Sequence, residues 1–364
     1  MKKDIQKFKP KFQRIVWQPD NVTYAVGGLS EAQYVILAMV MYKLKYELVS
    51  KEKVESWADF SRLIRESSIE RAEDGLPIVR TTLDELGIDI HNKEYAIRQL
   101  DELYKMTFQF PFAVFDGGQD IDNHKITITG LLADAVVSDR GNVKITLNPR
   151  MLPFLLIYGG KIGNGITKYF LEVIKGLSGR YSKSLYMILC SLATREYPHK
   201  VFDIEEFKSL MGLPPKTKNK NIGSLLKHWQ KELMENADVW PEFSIIKGTG
   251  SGRCGGRPVV TAVSLYARMA KERSEDRVDR PGEDDMWVNT FYAIKLLQEC
   301  GYISKDYQAA DLAYRISRDG KCNLISQKYQ YYQKAKGNGQ KNRRERARIL
   351  ARIVAEETSV PVDV

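Results

Sequence analysis

Apolar positions along this chain recur with two different periods, and each change of period marks an element. Residues 30–48, SEAQYVILAMVMYKLKYEL, are apolar on nearly every side and open on Ser30, which predicts a capped, mostly buried helix. WADFSRLIRES (57–67) predicts a second, amphipathic helix. TTLDELGI (81–88) and NKEYAIRQLDELYKM (92–106) then read as two short helical segments separated by Gly87 and a few residues, the spacing of a helix-turn-helix. In the second of these, Ala96, Ile97, Leu100, Leu103 and Tyr104 form the expected buried stripe and leave Tyr95, Arg98, Gln99 and Glu102 outward. The period then shortens to two in TFQFPFAVF, KITITG and NVKITLNP, with DGGQD and SDRGN as turns. NPRMLPFLL should start a further short helix, since Pro149 suits a first helical position.

A similar order recurs. ITKYFLEVIKGL (166–177) places Ile166, Tyr169, Phe170, Val173, Ile174 and Leu177 on one helical face, and SKSLYMILCSLA (182–193) does the same with Leu185, Ile188, Leu189 and Leu192. DIEEFKSLMGLPP (203–215) is a short helix stopped by glycine and proline, and NIGSLLKHWQKELMENA (221–237) is a longer one. FSII and PVVTAVSLY read as two strands flanking KGTGSGRCGGR. Helices, short helix, longer helix and hairpin thus appear twice, which predicts an α+β protein with two tandem winged-helix domains, 1–160 and 161–275. Residues 276–364 follow as a charged linker, a helical extension and a basic tail. In RRERARILARIV (343–354) the residues Ile349, Leu350, Ile353 and Val354 make an apolar side. A solvated disordered tail, a nonspecific DNA contact and a helix docked on a partner are all compatible with those letters.

Composition narrows the chemistry. The 364 residues are 43% hydrophobic, enough for a sizeable core in two to three domains. No apolar run approaches the ~20 residues a membrane helix needs, and the start MKKDIQKFKPKFQRIVW lacks the apolar middle of a secretion signal, so a cytoplasmic protein with no membrane partner is expected. Cys190, Cys254, Cys300 and Cys322 form no CxxC, and His91, His124, His199 and His228 form no HxH or HExxH. Neither a disulfide framework nor a metal site is expected, and no cofactor. The net charge of +10 is unevenly spread: residues 1–160 carry 21 basic and 22 acidic side chains, 161–275 carry 19 and 11, and 276–364 carry 16 and 13. The excess in the middle third is where a polyanion would be attracted most strongly.

The glycines of KGTGSGRCGGRPVV (247–260) imitate the outer glycines of a phosphate-binding P-loop. That loop needs Lys then Ser or Thr after its last glycine, and a helix whose N-terminus faces the phosphate. Here Gly255 is followed by Gly256, Arg257 and Pro258, and then by strand-like alternation. A wing accounts for the same letters: glycines allow close approach to a sugar-phosphate backbone, and Lys247, Arg253 and Arg257 supply countercharge. The preceding helix supports that reading. Ile222, Leu225, Leu226, Trp229 and Leu233 share one stripe, and residues 216–231 hold five lysines and no acid. Lys218, Lys220, Lys227 and Lys231 would hold phosphates, while Asn219, Asn221, Ser224 and His228 could reach base edges of double-stranded DNA. Arg98, on the equivalent helix of the first half, is expected to make a weaker contact.

ITLNPRMLPFLL, ITKYFLEVIKGLSGRYSKSLYMILCSL, FDIEEFKSLMGLP and the strand-wing-strand FSIIKGTGSGRCGGRPVVTAVSLY resemble the initiator Rep proteins of iteron-type plasmids over about residues 25–270. The passage TKYFLEVIKGLSGRYSKSLY is the most specific part; the aromatic that the family often carries before its second recognition helix is missing from PPKTKNKNIGSLL. The resemblance implies a protein that binds repeated sequences in a plasmid origin and helps open the adjacent duplex. It also implies recruitment of a host initiator protein and replicative helicase, and a homodimer in equilibrium with monomer that represses its own gene. Two other functions compete. A winged-helix transcriptional regulator would look the same in sequence. A rolling-circle nickase would need a tyrosine nucleophile beside clustered histidines, which this chain does not bring together in sequence, so no catalytic residue is expected.

Overall fold

A computed structural model of the chain describes residues 14–110, 114–115, 127–159, 165–195, 198–250, 256–269, 290, 292–298, 300–303, 312, 316, 321, 324–329 and 340–358. They fall into two compact units, the first comprising 1–194 with 210–213 and 235–237, the second 195–209, 214–234 and 238–364. The break between them comes at Thr194 and Arg195, later in the chain than the 160/161 boundary expected from the repeat of element order.

In the first unit, β1 (Ile15–Pro19) leads into α1 (Asp20–Ala25) and then α2 (Glu31–Leu44). The α2 helix starts in a capping box: the Gln33 amide N–H donates to Ser30 Oγ, and the Ser30 amide N–H donates to the Gln33 side chain. Residues 33–41 are all buried, as its unbroken apolar run requires. After the two-residue β2 (Val49–Ser50), α3 (Trp57–Glu66) is capped in the same way by Ser56 and Asp59. There follow β3 (Ile78–Thr82), α4 (Lys93–Lys105), β4 (Phe108–Phe110), β5 (Thr127–Thr129), β6 (Leu132–Val137), β7 (Asn142–Leu147), α5 (Leu152–Leu156) and β8 (Ile157–Tyr158). The unit continues with β9 (Ile166–Phe170), α6 (Leu171–Gly176) and the almost wholly buried α7 (Arg180–Ala193). Strands β3, β7 and β6 form an antiparallel sheet in that order, β4 pairs with β5, β2 runs parallel to β8, and β1 pairs with β9.

Pro149 does not open α5, which starts at Leu152 with Pro153 in its first turn, and three further expectations fail here. TTLDELGI is not a helix: Thr81 and Thr82 complete β3, paired with Val143 and Asn142, and Leu83 to Gly87 form a single turn closed by Gly87 at φ +71°. β-branched residues beside an available partner strand join the ladder, and too few residues remain to nucleate a helix. ITKYF, expected in a helix, is strand β9. Thr167 and Tyr169 point inward on alternation, and a buried polar network fixes the register against β1. The Tyr169 hydroxyl donates to Gln18 Oε1 (2.8 Å), Gln18 Nε2 donates to Thr23 Oγ1 (2.9 Å), and the Thr167 hydroxyl donates to Asp20 (2.5 Å). Third, α4 is rotated from its expected stripe. Gln99 is 5% exposed while Ile97 and Tyr104 are 45% and 53% exposed. Gln99 is drawn in by hydrogen bonds: the Ser30 hydroxyl donates to its side-chain oxygen, its Nε2 donates to Glu102 (3.0 Å), and Gln33 donates to its carbonyl (3.4 Å).

In the second unit, β10 (His199–Asp203) precedes α8 (Ile204–Leu210), a 3-10 turn at Asn219–Asn221, α9 (Ile222–Asn236), and the long strands β11 (Val239–Gly250) and β12 (Gly256–Met269). The sheet order is β10-β12-β11, all antiparallel, with register shifts between Ile246 and Lys247 and again before Gly250. His199 sits on β10 with its Nε2 2.7 Å from Ser264 Oγ. Beyond the hairpin, residues 292–298 and 324–329 and the C-terminal helix Gln340–Thr358 are helical.

Two stability measurements test this account. Gly212 has φ +60°, and a Cβ there would lie 2.2 Å from the backbone nitrogen of Gly28, whereas Gly176 has nothing within 4 Å. Gly212→Ala should therefore cost at least about 2 kcal/mol in urea unfolding, and Gly176→Ala should be neutral or stabilising. Burial pushes the His199 imidazole down to about 4, so the unfolded chain binds the extra proton first as pH falls. Stability should decline between about pH 6.5 and pH 4. Because the residue keeps partial exposure, a loss of roughly 1–2 kcal/mol is expected, and His199→Gln should flatten the urea midpoint over that window.

Candidate nucleic-acid interface

The α9 helix is amphipathic in the way its letters require. Ile222, Leu226, Trp229 and Leu233 are buried, and Leu225 lies at the margin, half-buried. Burying four such side chains contributes on the order of 8 kcal/mol before entropy is counted, enough to fix which way the helix faces. The helix also meets the hairpin. A Cβ at Gly223 would stand 3.4 Å from Ile245 Cγ1, so the absent side chain is what lets the first turn approach β11. Farther along, Gln230 Nε2 donates to the Pro241 carbonyl (2.6 Å). Just ahead of the helix, Asn219 Nδ2 donates to the Val260 carbonyl of β12 (3.3 Å). Helix and hairpin are thereby tied at both ends.

With the apolar stripe occupied, the opposite side must face water. Lys220, Asn221, Ser224, Lys227, His228 and Lys231 are all exposed, as are Lys216 and Lys218 before the helix and Lys247 on β11 just past the register shift. Among the described residues none of these lysines takes part in an ion pair. Other cations of the same unit do: Lys200 with Glu206 (3.2 Å), Lys208 with Glu205 (2.9 Å) and Arg268 with Glu242 (3.3 Å). The difference is local. The α8 turn supplies carboxylates three and six residues from its lysines, while 216–231 contains no acid.

The structure thus brings Lys218, Lys220, Asn221, Ser224, Lys227, His228, Lys231 and Lys247 onto the exposed surface of one helix and its adjoining strand. Asn219 is half-buried, its amide engaged with the hairpin backbone. Arg257 lies at the start of β12, but its side chain, and all of Arg253, fall outside the described residues. Arg98 is exposed on α4 in the first unit, its guanidinium 5.6 Å from the Tyr95 ring centroid, a neighbourhood unlike that of α9. Nothing in the sequence around Gln230 marks it. Its glutamine stands four residues before Met234 on a mixed face, and only the position of the Pro241 carbonyl reveals its use.

The glycine stretch joins two paired antiparallel strands, and β12 follows it where a P-loop would open a helix. Among the described residues no three His, Cys, Asp or Glu side chains gather to hold a metal, and no helix is long and apolar enough to cross a membrane. Cys190 is buried and Cys300 half-buried.

Among solved structures, the chain is similar to the Pi initiator protein in complex with iteron DNA, at 13% identity and a TM-score of 0.48, covering 71% of this chain and 98% of that one. It is also similar to domains 2 and 3 of RctB, at 10% identity and a TM-score of 0.32, covering 71% and 88%. No curated protein matches it. Residues 15–190, from β1 through most of α7, match the family model described as Initiator Replication protein, WH1. Most of the first unit, residues 15–190, is accordingly similar to the WH1 domain of initiator replication proteins.

Proposed function

We propose that this chain initiates plasmid replication by binding repeated duplex sequences in an origin, with the second unit acting as a second winged helix in tandem with the WH1 domain. In this reading α9 enters the major groove and the β11–β12 hairpin is the wing. The observation that carries it is the outward side of α9, where exposed lysines that form no ion pair among the described residues flank Asn221, Ser224 and His228. Lys218, Lys220, Lys227, Lys231 and Lys247 hold phosphates, and Arg253 and Arg257 extend that contact along the wing. Asn221, Ser224 and His228 read base edges. Asn219 serves the interface indirectly by holding the wing to the helix. Arg98 makes at most a peripheral contact.

The protein acts by binding and not as an enzyme. Opening of the origin draws on binding free energy and on the deformability of the flanking duplex. A host initiator protein and the replicative helicase are then recruited. A homodimer, in equilibrium with the monomer, represses the protein's own gene through the first unit. Support for a dimer face comes from α4 and β6: Ile97, Tyr104 and Val136 are exposed beside β6, the outer strand of its sheet among the described residues, and with Leu100 and Ala135 they line a groove of about 490 Å³.

Footprinting the purified protein on DNA from around its own gene tests the reading as a whole. Regularly spaced protection over a repeat array is expected; a single operator-like footprint would make it an ordinary repressor. At single residues, Lys227→Ala should weaken binding to every sequence alike and take about 0.9 off the slope of log K against log salt. Asn221→Ala or Ser224→Ala should instead cost about 1–3 kcal/mol of discrimination between bases, and an equal loss on random DNA would remove them as base readers. For the dimer, Ile97→Glu combined with Tyr104→Glu should shift sedimentation velocity to the monomer while DNA binding by the monomer persists. An unchanged dimer would exclude this face.

A further inference from the structure

Residues beyond the hairpin form a helical unit with its own core. Ala293, Ile294, Leu297, Ile303, Leu312, Ile316 and Ile325 pack with Leu350, Ala351 and Val354 of the C-terminal helix. This unit is fastened to strand β11. The Tyr292 hydroxyl donates to Glu242 Oε2 (2.6 Å), whose other oxygen takes Arg268, and Lys295 Nζ donates to the Phe243 carbonyl (2.9 Å) on the sheet's outer edge. Tyr292 also stacks on Tyr329, centroids 6.5 Å apart. Glu242 is out of phase with Ile245, the residue that meets α9, so Tyr292 reaches the sheet face turned away from that helix.

The C-terminal helix breaks two rules of helix electrostatics. Lys341, Arg343, Arg344 and Arg346 occupy its first two turns with no acid in the first, where the helix dipole disfavours cations. Arg344, Arg348 and Arg352 follow one another at i, i+4 spacing, where like charges repel. Arg348 and Arg352 are exposed. Leu350, Ala351 and Val354 are consumed within the chain and Ile353 is packed against them, while Ile349, expected on the same side, is 41% exposed, so little of the apolar side is left for a partner groove. A tertiary core this well occupied tolerates the repulsion, and a polyanion would relieve it.

We propose that the C-terminal helix, whose core neighbours are fastened to β11 through Tyr292 and Lys295, is a further contact for the phosphate backbone of duplex DNA, independent of base sequence. The proposal rests on the reading of α9 as the specific contact and extends it: this helix would add affinity without discrimination. In the full-length chain, replacing Lys341, Arg343, Arg344, Arg346, Arg348 and Arg352 by glutamine keeps helix propensity while removing the charge. Binding should fall at least ~10-fold on repeat and random duplexes alike, and the salt slope should drop by about 0.9 for each phosphate that is no longer neutralised. The melting temperature without DNA should stay equal or rise, because repulsion within the helix is gone; a clear fall would mean that these cations serve the fold and would overturn the proposal. Wild-type affinity and slope in the variant, with Lys227→Ala still impaired, would overturn it and leave the α9 reading standing. If the wild-type chain binds no duplex, both fail. Binding to phosphatidylserine vesicles that the variant loses, with DNA binding unchanged, would overturn it in favour of a membrane surface.

Discussion

The burial of one apolar stripe on α9 governs which side of that helix faces water. Ile222, Leu226, Trp229 and Leu233 leave water together on one side of α9, and Gly223 lets its first turn come close to Ile245 of β11. Rotation about the helix axis is then no longer free. Two side-chain amides, of Asn219 and Gln230, bond backbone carbonyls of the hairpin and hold the arrangement in register. The lysines between residues 216 and 231 are exposed as a consequence. Their repulsion is tolerated because burying the stripe beneath them stabilises more than exposed like charges in water destabilise.

The first unit shows the same construction with another outcome. On α4 the buried stripe is completed by a polar residue, Gln99, because the cap of α2 offers it partners. Ile97 and Tyr104 are displaced outward, and the outer surface becomes an apolar groove beside a strand edge. A helix surface of that kind suits protein contact, whereas the α9 surface suits a polyanion. The two helices thus present surfaces of different chemistry, one apolar and one basic.

Buried polar groups supply the specificity that apolar packing lacks. The Gln18–Thr23–Thr167–Asp20 cluster with Tyr169 fixes β1 against β9, where a slip by one residue would turn Tyr169 out of the core. In the second unit Glu242 accepts from two directions, Arg268 on the neighbouring strand and Tyr292 of the helical extension. One carboxylate thereby joins the sheet to a residue fifty positions later in the chain. Tyr292 is held well above the ordinary tyrosine range by burial and by that carboxylate, so it stays a neutral donor across physiological pH.

Local patterns determined much of this protein. The capped α2, the amphipathic α9 with its outward lysines, the turn at SDRGN and the long hairpin around the glycines were all legible, because each depends on periodicity or on a cap within a few residues. What the letters could not decide was anything requiring a distant partner. ITKYF satisfies both a helical and a strand period, and only β1, some 150 residues earlier, selects the strand. Gln99 reads as a surface residue until Ser30 and Gln33 arrive beside it, and RRERARILARIV is compatible with a tail or a docked helix until Leu350, Ala351 and Val354 join the core of Ile294 and Leu297. Period and propensity are properties of neighbours in sequence, while the choice between two permitted conformations belongs to whichever long-range contact buries more apolar area or satisfies more buried polar atoms.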